Sequence, residues 1–258
     1  MRGYGVRQVR EVRKMRHRSG SFVMTFLFML SFFFLLNGCS TVSKLFSGEE
    51  EDVDASQLMS DGKDYLDRGY YKSAIEAFQK VKDRYPYSKF AITAELKMAD
   101  ALYLTEEYDQ GLDAYDQFEK LHPKHAEIPY VIYQKGMCQF QQMTTPDRDQ
   151  GHTLKAKEEF ERLIRRFPHD IYADRARKNL RRCLIYLAEN EIYVGNFYFK
   201  KGYYGAALAR YTYVVKNYPD LGQYSEVLEN ISKCKEKLAA EASLKQAKKS
   251  SWPFSIWR

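Results

Sequence analysis

From Ser56 to about Lys249 the apolar positions recur with a helical period, and no stretch alternates in the manner of a strand. Four helical segments in this region close on a ring followed by proline: Tyr85-Pro86, His122-Pro123, Phe167-Pro168 and Tyr218-Pro219. Counting back from each proline gives the same series. Twelve residues before it stand Ala74, Gly111, Ala156 and Ala207; eight before stand Phe78, Tyr115, Phe160 and Tyr211; five before stand Val81, Phe118, Leu163 and Val214. With the closing ring these offsets fall on one helical face, at about 100° per residue. A small residue there admits a neighbouring helix, and the aromatics fill the space beyond it. Proline then ends the helix, because it biases the preceding residue away from helical geometry.

The first and fourth copies superpose in sequence. Gly62, Tyr65, Gly69, Tyr70, Tyr71, Ala74 and Pro86 recur as Gly195, Tyr198, Gly202, Tyr203, Tyr204, Ala207 and Pro219. The small residue twelve before Ala74, the aromatic three later and the proline twelve after it resemble tetratricopeptide (TPR) repeats. The third copy departs most: a polar loop near Met143–His152 separates its helices, and Gln139 stands where the other copies lead us to expect an aromatic. The helix around Tyr172–Phe199 is predicted to be long, and a last helix from about Leu221 to Lys249 caps the stack. A single hairpin cannot bury its apolar face, so neighbours stack into one continuous core. Most of the 21 tyrosines and 16 phenylalanines are read as that core. The predicted class is all-α, a TPR-like helical-hairpin solenoid.

The N-terminus is written differently. Phe22 to Leu36 is apolar apart from Thr25 and Ser31 and spans about 22 Å as a helix, short of the roughly 30 Å hydrocarbon core of a bilayer. Basic residues, a short apolar run and small residues form the layout of a secretory signal peptide. Leu36-Asn37-Gly38-Cys39-Ser40 then resembles a bacterial lipobox, which implies cleavage before Cys39 and lipidation of its sulfur. Met15 is an alternative start giving a signal of ordinary length. The other reading of this segment is a signal anchor with an uninvolved cysteine. Ser40 in place of aspartate implies the outer membrane. The segmentation is 1–38 signal peptide, 39–56 acidic flexible linker containing Glu49-Glu50-Glu51-Asp52, 57–241 repeat domain and 242–258 basic and aromatic tail.

Charge and chemistry narrow the function. The formal net charge is +7, which on its own raises nucleic acid as a partner. Residues 1–38 carry Arg2, Arg7, Arg10, Arg13, Lys14, Arg16 and Arg18 against Glu11 alone; of the 41 basic and 34 acidic residues this leaves 34 and 33 from Cys39 onward. The folded part is balanced, and a nucleic-acid role loses its basis. No phosphate-binding glycine loop, His-Glu-x-x-His helix or Gly-x-Ser-x-Gly elbow is present. His122 and His125 are separated by Pro123 without a nearby cysteine in sequence, so no metal site is assigned. Cys138, Cys183 and Cys234 are read as small buried hydrophobes on first helices of hairpins, their pairing left open. The expectation is a binding protein, not an enzyme, without cofactor or nucleotide.

The segments Gly69-Tyr70-Tyr71-Lys72-Ser73-Ala74-Ile75 and Arg84-Tyr85-Pro86-Tyr87 are similar to those of the BamD family, lipoproteins of the outer-membrane β-barrel assembly machine. So are His122-Pro123-Lys124-His125, Ile128-Pro129-Tyr130-Val131, Asp147-Arg148-Asp149 and Tyr218-Pro219-Asp220. The resemblance runs from Cys39 to about residue 240. It implies about five TPR-like repeats, ten or so helices, an outer-membrane lipid anchor facing the periplasm, and three protein partners. These are the POTRA domains of a BamA-type barrel subunit, other lipoproteins of the machine, and unfolded outer-membrane β-barrel proteins. It also implies that Arg210, nine residues before Pro219, contacts the barrel subunit. A second reading of the same architecture is another outer-membrane TPR lipoprotein scaffold, supporting a pilus secretin or coordinating cell-wall synthesis. A third, a hydrolase carrying the repeats as an appendage, leaves too little chain for a catalytic domain. In the tail, Lys245, Lys248 and Lys249 precede Trp252, Phe254, Ile256 and Trp257, a composition suited to a membrane interface or a partner groove, or to an unstructured end.

Overall fold

The computed structural model describes residues 54–250. The described chain is all helical: α1 (Ala55–Asp67), α2 (Tyr71–Arg84), α3 (Ala91–Leu104), α4 (Tyr108–Leu121), α5 (Ile128–Gln141), α6 (Gly151–Arg166), α7 (Ile171–Lys200), α8 (Tyr204–Asn217) and α9 (Tyr224–Ser250). Each helix packs on its neighbours in the chain, giving the hairpins α1/α2, α3/α4, α5/α6 and α7/α8, and α5 also touches α7. Helix α9 packs on α8 and takes the first-helix place of a fifth repeat. Nearest-neighbour packing of this kind is the TPR-like hairpin solenoid. The signal peptide, Cys39, most of the linker and residues 251–258 of the tail lie outside the described residues. Helix α9 runs unbroken past residue 242, with Ala242 to Lys249 exposed.

The second helix of every hairpin buries its series. Ala74, Phe78 and Val81 are fully buried, as are Ala156, Phe160 and Leu163; Tyr115, Phe118, Ala207, Tyr211 and Val214 are buried to within 1%. The fourth offset does not join this face. Tyr85, His122, Phe167 and Tyr218 are only half-buried, because each is the helix's C-cap and its backbone has left the helical region. Each still donates its N–H to the carbonyl four residues back, at Val81, Phe118, Leu163 and Val214, so the four prolines end four helices alike.

The first helices supply the complement. A Cβ on Gly62, Gly136 or Gly195 would lie 2.5, 2.5 or 2.6 Å from the ring of Phe78, Phe160 or Tyr211. The rings therefore rest directly on helix backbone, and the hairpin closes around that contact. Ala99 stands in the corresponding place sixteen residues before Tyr115. Where the ring is a tyrosine, the residue after the small one accepts its phenol: Tyr115 donates to Asp100 at 2.8 Å and Tyr211 to Asn196 at 2.6 Å. Where it is phenylalanine, Lys63 or Met137 follows and no acceptor is required.

Three hairpins turn through the same helix end. Tyr70 and Tyr203 donate their N–H to the carbonyls of Tyr65 and Tyr198 across Gly69 and Gly202, whose φ angles are 78° and 79°. In the second hairpin Glu107 makes the same bond to Leu102, but the left-handed position holds Glu106 at φ 63°. A side chain there is strained, whereas glycine is not. Glu106→Gly is therefore expected to raise stability by about 0.5–1 kcal/mol, after allowing for the freer unfolded chain. A urea midpoint that fell would contradict this.

The third hairpin replaces that turn with the polar loop, which ends at Gln150; Gly151 and His152 already belong to α6. Gln150 stitches the loop by donating to the carbonyls of Thr145 and Arg148, and Asn190 on α7 donates to the Pro146 carbonyl. The length of α7, 30 residues, brings Asn190 to the inserted loop. Gln139, lacking a ring, is buried and pairs its side-chain oxygen with His152 Nδ1 at 2.8 Å.

Candidate functional site

Cys138, Cys183 and Cys234 are all free and buried, on α5, α7 and α9. Burial pushes the Cys138 and Cys183 thiols up to about 12, so neither is a nucleophile near neutral pH. They serve as core. His122 and His125 are both engaged. His122 Nε2 lies 2.8 Å from Glu95 Oε2, a partner 27 residues away in sequence, and both rings pack on Phe118. His125 Nδ1 accepts the Glu127 N–H.

The first helices line a cleft of about 490 Å³ that crosses three repeats. Ile92, Leu96 and Lys97 come from α3, Tyr130 from α5 and Tyr172 from α7, with His125 and Glu127 on the rim. Its apolar floor and mixed rim suit an extended peptide. Asp100 fixes one wall from below: this buried carboxylate accepts from Tyr115, Tyr130 and Lys97 at 2.7–2.9 Å. Burial, with the Asp100 charge adding to it, pushes the Tyr115 and Tyr130 phenols well above their usual range, so both stay protonated donors.

Helices α4, α5 and α6 are tied by a charged cluster. Lys135, with 9% of its side chain exposed, lies 2.8 Å from Asp116, 3.2 Å from Glu119 and 3.8 Å from Glu159. Arg162 grips both oxygens of Glu119, at 2.6 and 2.9 Å. Burial opposes the Glu119 charge, but the Arg162 hydrogen bonds and the nearby Lys135 outweigh it and lower its pKa. The hydrogen bonds from Lys120 and Lys135 lower that of Asp116. The cluster makes the second and third hairpins one rigid support.

Arg210 lies on α8 with 45% of its side chain exposed, and its guanidinium donates to Glu191 Oε2 of α7 at 3.0 Å. Glu191 holds one edge, leaving donors facing solvent. The sequence reading did not single out Glu191, Asp100 or Lys135. Lys135 did carry a signal: it continues the buried series Ile128, Val131, Ile132 at helical spacing, on the face that also holds Gly136. Asp100 adjoins the fully buried Ala99 and faces two rings that arrive from other helices.

Comparison with known proteins places this architecture. Residues 51–250 match a family model, YfiO, described as an outer membrane lipoprotein. The chain is 31% identical over 186 residues to the outer membrane protein assembly factor BamD of Rickettsia prowazekii, covering 71% of this chain and 72% of that one. It is 29% identical over 191 residues to the BamD of Caulobacter vibrioides, covering 74% of this chain but only 63% of the relative's length. Among solved structures, the TPR2AB domain of yeast Sti1 in complex with an HSP90 peptide aligns with 72% of this chain and 71% of its own, at 16% identity and a TM-score of 0.46.

Proposed function

The chain belongs to the YfiO family of outer membrane lipoproteins, and from that premise we propose that it is a non-enzymatic assembly factor for outer-membrane β-barrel proteins. The observation that carries this reading is the family match over the whole repeat body, 51–250, from before α1 to the end of α9. In this reading Cys39 carries the lipid that holds the repeats at the periplasmic face of the outer membrane. More than one acyl chain makes such an anchor stable, at about 0.8 kcal/mol per buried methylene. The cleft between α3, α5 and α7 receives extended segments of unfolded barrel proteins. Arg210 engages a carboxylate on the POTRA domains of a BamA-type barrel subunit, and other lipoproteins of the machine complete the assembly.

The chemistry supports Arg210 in that role. Its pair with Glu191 is partly exposed and contributes at most about 1 kcal/mol, so the side chain is dispensable for folding. A guanidinium offers five donors, enough to keep Glu191 and grip a second carboxylate with two parallel bonds. Arg210→Glu is expected to fold, as judged by circular dichroism, yet to recover less POTRA-bearing barrel subunit after detergent extraction and pull-down. Undiminished recovery removes Arg210 from the contact. Recovery of a secretin or a cell-wall synthase in place of the barrel subunit overturns the assembly role itself. Fatty-acid labelling of the wild-type chain but not of Cys39→Ala tests the anchor, and an unlabelled wild type removes it.

A further inference from the structure

The solvent face of α7 carries an arrangement that the assembly reading does not use. Between Ile171 and Cys183 this helix has five basic residues and one acid, Asp174, which pairs with Arg177. The four cations left, Arg175, Lys178, Arg181 and Arg182, are all exposed, and none pairs with a carboxylate among the described residues. At about 100° per residue they occupy one arc opposite the buried Ala173, Ala176, Cys183 and Leu187. Five other arginines, Arg68, Arg162, Arg165, Arg166 and Arg210, each meet an acid. On this face rings take that place. Arg175 stacks on Tyr172 at 5.3 Å, and Arg182 lies over Phe140 and Tyr186 at 5.7 and 5.9 Å. A guanidinium held by its flat face keeps its edge donors free for a carboxylate. The neighbouring first helix, α5, has no acidic residue with which to neutralise the stripe.

Along the same face, toward the C-terminus of α7, the surface changes character. Ile185, Ala188, Ile192 and Tyr193, with Glu189, Asn196 and Glu226 among them, line a cleft of about 560 Å³ whose far wall is the α8–α9 loop. Tyr193 is half exposed at its rim. Glu191, the partner of Arg210, is nine residues beyond Arg182 and therefore half a turn away, on the opposite side of α7. The stripe and the Arg210 contact are separate surfaces.

We propose that this face of α7 docks an acidic segment of a partner protein, whose carboxylates engage Arg175, Lys178, Arg181 and Arg182 and whose adjoining apolar side chains enter the cleft at Ile185–Tyr193. Charge complementarity selects the occupant: four unpaired cations in under two turns call for carboxylates, and the cleft beside them for an aliphatic or aromatic anchor. The test uses the full chain and a fluorescein-labelled peptide bearing a run of glutamates followed by leucine and phenylalanine. Fluorescence anisotropy is expected to show saturable binding that weakens with added salt. Affinity should fall by at least about tenfold when Arg181→Glu and Arg182→Glu are combined, or when the peptide's glutamates become glutamines. Arg210→Glu should leave it unchanged, which separates this surface from the barrel-subunit contact. Should the double reversal lose its helical circular dichroism, Arg181→Gln with Arg182→Gln carries the same test. Equal binding of the glutamine peptide, or by the double variant, overturns the proposal. So does binding that appears only once Glu49-Glu50-Glu51-Asp52 is deleted, which would make the chain's own linker the occupant. Sedimentation with phosphatidylglycerol vesicles that depends on Arg181 and Arg182, without peptide binding, also overturns it in favour of a lipid surface.

Discussion

Replacing Phe160 by alanine is expected to lower the stability of the repeat body by about 3–5 kcal/mol, the cost of emptying a closed aromatic site. Phe160 is fully buried in the largest side-chain class of the core, flanked by Tyr133 and Phe140 with ring centroids 6.1 and 6.0 Å away. Its ring also presses on Gly136, where an added Cβ would lie 2.5 Å from Cε1. That contact gives a sharper test than the loss itself. Gly136 is in the middle of α5, where alanine is intrinsically better by about 1 kcal/mol. In the wild-type background Gly136→Ala should nevertheless destabilise, by about 1–3 kcal/mol, because the hemmed ring cannot move away. In the Phe160→Ala background the new methyl enters the vacated space, and the same substitution should stabilise. Urea midpoints of the four proteins, followed by far-UV circular dichroism, read the sign directly. An effect of one sign in both backgrounds would mean that ring on glycine is not what closes the hairpin. Because repeats interact mainly with their neighbours, a lesion in the third hairpin should also make the transition less cooperative.

The same contact shows how far the sequence speaks for itself. Offsets of four and seven residues from Ala74, Gly111, Ala156 and Ala207 identify rings and aliphatics that prove fully or almost fully buried, and the four prolines mark four helix ends. Those features are local: a period of 3.6 and a residue that cannot continue a helix. Even the choice of Tyr over Phe is written in the chain, since Asp100 and Asn196 follow the small residue that meets Tyr115 and Tyr211, while Lys63 and Met137 stand in that place before the phenylalanines, Met137 farther off because of the inserted loop. What was not legible depends on which helices come together. Glu95 reaches His122 across 27 residues, and Glu119 reaches Arg162 across 43. The closing rings were expected in the core and are half-buried, because a C-cap no longer follows the helical arc. The expectation that most rings are core holds for the packed series but not for Tyr193, Phe197 and Tyr203, which are exposed. As for function, Arg210 was legible only through resemblance; the stripe on α7 needed burial and pairing to stand out from a sequence rich in charge.

Lys135→Met should cost about 3 kcal/mol near neutral pH, the lower part of the range for removing one partner from a buried ion pair. The reduction from a fully buried case has two causes: Asp116 is 36% exposed, and Glu119 keeps Arg162. The pH dependence identifies the cause of the loss. Asp116 and Glu119 have folded pKa values lowered from 3.8 and 4.5, so they bind fewer protons in the folded state than in the unfolded one over that window. Stability from them is fully present above those ordinary values and is lost as the pH falls through the lowered ones. Lys135 is raised from 10.5: burial works against its charge, but hydrogen bonding to Asp116 and the charges of Glu159 and Glu119 prevail. Its own titration therefore costs nothing at acid and neutral pH, where its contribution lasts as long as its carboxylate partners stay ionised, and is lost on the alkaline side as the pH rises above that of an ordinary lysine through the raised value. The gap between wild type and Lys135→Met should accordingly be constant from about pH 6 to 9 and close below about pH 4. A gap that persisted unchanged in acid would assign the loss to packing of the lysine stem instead of to charge. That distinction bears on the architecture, since the cluster joins α4, α5 and α6. If it is electrostatic, protonating its carboxylates should loosen the ties among α4, α5 and α6 before the repeat body unfolds.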